Sequence, residues 1–151
     1  MAIVSGVSKL EISQVRKRIQ AAITTARDHA KQRRQKSDEA EQAYLAFLEH
    51  LAGPLARQIV NALRAEGYSF TVSTPGRGLR VSLDQGRDDF IELALSTDTD
   101  QPSIVGRVRR TRGSRTLDDE RAVKPGAAPQ DVSENDLLEF LALALEPWLE
   151  R

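Results

Sequence analysis

Five arginines fall within residues 106–115, GRVRRTRGSR, with no acid among them. Guanidinium groups at that density either grip phosphates through forked hydrogen bonds or pair with carboxylates on a neighbouring strand. Imidazole chemistry is harder to build. Only His29 and His50 occur, and on one helix they stand about 31 Å apart, too far to share an ion. The chain has no cysteine, so thiolate nucleophiles, disulfides and cysteine metal centres are excluded. No GxSxG elbow supplies an activated serine. Asp88-Asp89 and Asp118-Asp119 are adjacent in sequence, and neighbours on a strand face opposite ways, which argues against a shared acid–base site. PGRG at 75–78 has the glycines of a phosphate loop, but neither the Lys-Ser/Thr nor the helix that should follow. The expectation is a non-enzymatic chain with no catalytic, cofactor-binding or metal-binding residue.

Positioning decides what the arginines do. Gly113-Ser114 can form a two-residue type II′ turn. That register places Thr111 opposite Thr116, Arg109 opposite Asp118, Arg107 opposite Glu120 and Val105 opposite Ala122, with Ile104 meeting Val123 on the other face. Each opposite-charge pair contributes roughly 0.2–1 kcal/mol. Arg110, Arg112 and Arg115 remain at the hairpin tip as candidate anion-binding residues.

Upstream of the hairpin, apolar residues alternate with period two. Tyr68, Phe70 and Val72 form one inward set, Leu79, Val81 and Leu83 a second, and Ile91, Leu93 and Leu95 a third. Thr74-Pro75-Gly76-Arg77 reads as a type II turn, residues 84–89 turn the chain again, and a strand spans 103–112. Short loops between successive strands imply a meander. Ser133 and Asp136 form a capping box, with Val132 and Leu137 as its staple. The helix that follows presents Leu137, Leu138, Leu141, Ala144, Leu145 and Trp148, and Pro147 should end it at Glu146. The fold class is α+β: a long N-terminal helix, a second short helix, a four- to five-stranded antiparallel meander, and a C-terminal helix packed on one sheet face.

The N-terminal segment is the unusual part. Ser8 and Glu11 suggest a capping box, with Val7 and Ile12 as its staple. No Gly or Pro then interrupts the chain as far as Leu51. A helix over 9–52 would be roughly 66 Å long, beyond the reach of one small globule. A hairpin break at Ser37 is the rival, but no Gly offers a C-cap there. Gly53-Pro54 reads as the end of the arm and the start of a second helix through Glu66, closed by Gly67, and a kinked continuation is equally compatible with Pro54. The organisation expected is a helical arm over 1–52 and an α+β domain over 53–151.

Net charge is zero, yet the charges come in blocks. Residues 9–36 carry nine bases and two acids, net +7, and residues 37–52 carry four acids and no base. Residues 103–116 carry +5, and residues 117–151 carry nine acids and three bases, net −6. Alternating blocks suggest pairing within or between chains. Ile12, Val15, Ile19, Ala26, Ala40, Tyr44 and Phe47 form the expected self-association seam, a coiled-coil pattern interrupted by polar residues. The leading expectation is a homodimeric interaction or adaptor protein, which also allows a different protein partner. The alternative is non-specific binding of nucleic acid or another polyanion through Arg27, Lys31, Arg33 and Arg34 together with the hairpin tip. Aromatics for base stacking are scarce beside these cations, which ranks nucleic acid second. No cofactor is expected. MAIVSGVS lacks a basic n-region and an apolar h-region, and no run approaches a membrane span, so a cytoplasmic chain without membrane contact is expected.

Overall fold

The computed structural model describes residues 9–85 and 88–150. Helix α1 spans Ile12–Phe47, a π-helical turn spans Leu48–Ala52, and α2 spans Gly53–Ala65. Strands follow at Phe70–Ser73 (β1), Leu79–Leu83 (β2), Phe90–Ser96 (β3), Ser103–Arg112 (β4) and Arg115–Ala122 (β5). A 3₁₀ turn at Pro129–Asp131 precedes α3, Glu134–Leu149. The architecture is the α+β meander expected, with all five strands present.

The expected cap residues Ser8 and Val7 lie outside the described residues. The helix starts later than that cap implies. Gln14 reaches back from the first turn of α1, and its Oε1 accepts the Glu11 backbone N–H at 3.1 Å. The reaching-back half of a capping box therefore forms one turn downstream, with Glu11 at N-cap. No turn interrupts α1 at Ser37, where the sequence offers no residue suited to a left-handed cap.

Gly53 does not adopt the left-handed cap conformation. Its φ is −58°, within the helical region, and its N–H reaches back to the Leu48 carbonyl. Proline cannot donate to the carbonyl four residues back, and its ring crowds that carbonyl. Widening the preceding turn to a π-turn accommodates Pro54 without ending the helix. The true stop is Gly67, at φ +92°. There Gly67 N–H donates to Arg64 O and Tyr68 N–H to Leu63 O, the paired bonds of a Schellman cap.

The sheet order is β1-β2-β3-β4-β5 and every pairing is antiparallel. The first hairpin turns one residue later than the type II reading. Gly78 N–H bonds Pro75 O, and Gly76 has φ +57°. Glycine thus occupies the first central position of a primed turn, whose twist matches the flanking strands. The inner sheet face carries Phe70, Leu79, Val81, Ile91, Leu93 and Ile104, all at or below 2% exposure. Against it pack Leu55 and Val60 of α2 and Leu137, Leu141, Leu145 and Trp148 of α3, in one continuous cluster.

The Ser133–Asp136 capping box is present in full, and both residues of the staple, Val132 and Leu137, are buried. Two expectations for α3 fail. Leu138 is not on the buried face; it is 39% exposed, because it lies a full 100° around the helix from Leu137. Pro147 does not end the helix, which continues to Leu149. Proline deprives the Leu143 carbonyl of its donor, but Leu143 is exposed and water can serve instead.

By internal contacts the chain divides into two compact units, one up to Lys36 and one from Ser37 onward. The second unit thus takes in the end of α1: Ala40, Tyr44 and Phe47 are buried, the last two in the sheet-and-helix core.

Candidate functional site

Antiparallel register builds the exposed sheet face row by row. One row runs Ser73, Arg80, Glu92, Arg107, Glu120 across all five strands. The next runs Thr71, Ser82, Phe90, Arg109, Asp118. In the first row the charges alternate in sign from β2 to β5. Arg80 donates through Nε and Nη2 to Glu92 Oε2, and Arg107 Nε meets Glu120 Oε1 at 3.3 Å. In the second, Arg109 Nε meets Asp118 Oδ1 at 2.8 Å, which raises the Arg109 guanidinium further above its ordinary value. The guanidinium carbons of Arg80 and Arg109 stand 4.1 and 5.5 Å from the Phe90 ring centroid, a cation–π arrangement. These residues line an open cleft of about 460 Å³.

The predicted β4–β5 register is the observed one: Arg109↔Asp118, Arg107↔Glu120, Thr111↔Thr116 and Val105↔Ala122. Arg107 and Arg109 are committed to carboxylates, and the cleft on this face is a mosaic of both signs. Such a surface has no net cationic pull on a polyanion. Arg110 faces the other way, opposite Leu117, while Arg112 lies opposite Arg115 at the tip. Among the described residues none of these three forms an ion pair. Asp118 and Asp119 face opposite sides of β5, as strand geometry requires, and Asp119 pairs with Arg121 on its own side at 3.2 Å.

Among the described residues, Tyr44 is the most perturbed titrating group. Its hydroxyl donates to Leu93 O at 3.2 Å. Burial pushes the phenol up to about 12, with the nearby Glu92 charge adding and Arg107 opposing. An unfolded tyrosine ionises near pH 10. The folded state therefore retains this proton longer, and its stabilising effect is whole below about pH 10 and lost as pH rises through about 12. Tyrosinate absorbance should show one tyrosine titrating near pH 12. Tyr44→Phe should remove that step and make unfolding less steep above pH 10.

The arm presents a different surface. Ile12, Val15, Ile19 and Ile23 of α1 are 81%, 46%, 54% and 43% exposed, and Leu10 just before it is 70% exposed. Ala26 is exposed as well. Heptad counting omits Ile23. On a helix wheel at 100° per residue it lies about 20° from Ile12, inside the stripe. The seam residues named from sequence thus separate: Ile12, Val15, Ile19 and Ala26 remain open, whereas Ala40, Tyr44 and Phe47 are covered by their own domain. Arg27, Lys31, Arg33 and Arg34 are exposed on α1, and among the described residues no cation of 9–36 forms an ion pair.

His29 and His50 are both exposed. Among the described residues no three metal-ligating side chains converge, and no helix is long and apolar enough to cross a membrane. Comparison with protein-family models, curated proteins and solved structures returns no match.

Proposed function

We propose that this chain is a non-enzymatic interaction protein that self-associates as a homodimer through the exposed apolar stripe of α1. One observation carries the reading: the stripe Ile12, Val15, Ile19 and Ile23 stands open along one helix face. Single exposed apolar residues are ordinary, but a contiguous patch on a helix marks an interaction surface. Closed two-fold dimers are the commonest solution. Such a dimer serves as an adaptor, leaving the sheet domain to meet another protein.

Sedimentation at micromolar concentration should show a dimer. Ile19→Asp should weaken self-association at least about tenfold, or ~1.4 kcal/mol. The urea midpoint of the sheet domain should stay unchanged, because Ile19 is exposed and outside the buried core. A monomer at every accessible concentration would remove the proposal.

A second reading, polyanion binding, rests on the same arm. Its cations are exposed and unpaired among the described residues, while the β4–β5 hairpin pairs three of its six arginines. Under this reading the affinity for labelled duplex DNA falls steeply between about 50 and 200 mM salt. Reversing Arg27, Lys31, Arg33 and Arg34 to Glu then abolishes DNA binding and leaves oligomer size unaltered. Under the dimer reading the same variant alters oligomer size.

A further inference from the structure

We infer that the α1 stripe of one copy docks on the exposed face of α3 in a second copy, an inference that rests on the self-association proposed above. Charge complementarity supports this pairing over two others. Stripe-to-stripe pairing would bring together two 9–36 segments, each with nine bases and two acids, and like charges across a helix pair repel. The acidic stretch 37–52 offers little to the stripe either. Its apolar residues Ala40, Tyr44 and Phe47 are already buried, and Glu41 is paired with Arg77.

Helix α3 has what the stripe lacks. Residues 134–150 contain five acids and no base. One of them, Asp136, is engaged by the Ser133 cap and by Lys124. Glu134, Glu139, Glu146 and Glu150 are exposed, as are Leu138 at 39% and Leu143 at 56%. On the helix wheel, Glu139, Ala142 and Glu146 lie between the two leucines. The small Ala142 leaves room for an approaching helix. On α1, Arg16 and Arg27 sit on one shoulder of the stripe, within about 60° of Ile12. A basic helix with an apolar centre thus meets an acidic face with apolar margins. The lengths match: α3 has 16 residues, and the stripe spans residues 10–23. In a two-fold dimer each copy supplies one stripe and one α3 face, so both stripes are covered.

The absence of native cysteine makes a direct test available. Full-length Ile19→Cys and Ala142→Cys proteins, one carrying a size tag, are mixed and mildly oxidised. The expected product is a disulfide between the two different variants, in excess over Ile19→Cys joined to itself. In sedimentation, the Glu139→Lys/Glu146→Lys protein should self-associate at least tenfold more weakly. Adding Arg16→Glu/Arg27→Glu should restore most of the loss. If Ile19→Cys joins only to itself while the native chain sediments as a dimer, the α3 face is not the docking surface and self-association stands. A native chain that sediments as a monomer overturns both.

Discussion

Replacing Asp89 by Ala should destabilise the sheet domain by about 3–4 kcal/mol, one of the two largest effects expected of a single substitution here. Asp89 is the one charged residue buried among the described residues, at 5% exposure. Its two oxygens serve two elements. Oδ1 accepts the Thr111 backbone N–H at 2.9 Å, on β4, and Oδ2 accepts the Trp148 indole N–H at 3.0 Å, on α3. Trp148 in turn meets Phe70 of β1 edge-on, at 6.1 Å between ring centroids. One carboxylate therefore ties the last turn of α3 to the sheet. Alanine leaves two donors without an acceptor, and each unsatisfied buried group costs about 1–3 kcal/mol. Asparagine keeps one acceptor but turns an amide N–H₂ toward the other donor, so about half the loss should remain. The readout is the urea midpoint at constant m, with Trp148 fluorescence following the indole. Trp148→Phe should cost less than Asp89→Ala, since it removes one bond and keeps the ring. Equal midpoints for native protein and Asp89→Ala would show that the carboxylate does not bind these two elements together.

Asp89 also marks where sequence reasoning stops. Residues 84–89 are polar and read simply as a turn, and nothing local says that one acid of the pair Asp88-Asp89 is buried. Its role comes from where Trp148 lands, 59 residues away. The β4–β5 register was legible because the Gly113-Ser114 turn sets the phase and each pair on one face then checks the others. The Arg80–Glu92–Arg107 row was not, because it needs the registers across two longer loops. Helix faces were legible, but their covers were not. A 3-4 pattern says that Ile12 and Tyr44 lie on similar sides of a helix; it does not say that only Tyr44 meets its own core. Two prolines sit within helix, and only Pro147 departs from its expected role. Pro54 and Pro147 carry the usual penalty, but a widened turn relieves one and an exposed carbonyl the other.

Gly106 on β4 should prove nearly as sensitive as Asp89, and for a reason of shape alone. It is buried on the inner face, opposite Leu93 on one side and Arg121 on the other. The Phe140 ring of α3 lies directly over it, so that an added Cβ would overlap the ring. The Arg121 guanidinium stands 5.9 Å from the same ring's centroid. The backbone at Gly106 has no positive φ, so alanine there meets no conformational strain. By itself the change would gain a few tenths to about 1 kcal/mol from the unfolded state. The contact reverses that sign. Gly106→Ala should cost about 2–3 kcal/mol through overpacking, and Gly106→Val more. Phe140→Leu alone should cost about 1 kcal/mol as lost apolar contact. Combined, the two should destabilise less than their sum by at least about 1 kcal/mol, since the smaller side chain vacates the space the new methyl needs. Urea unfolding of the four proteins closes the cycle. Additive losses would mean that the ring does not rest on Gly106 and that α3 is seated elsewhere over the sheet. Strong coupling would fix α3 on β4 by its inner side, leaving Leu138, Leu143 and the glutamates of its other side free to meet a second chain.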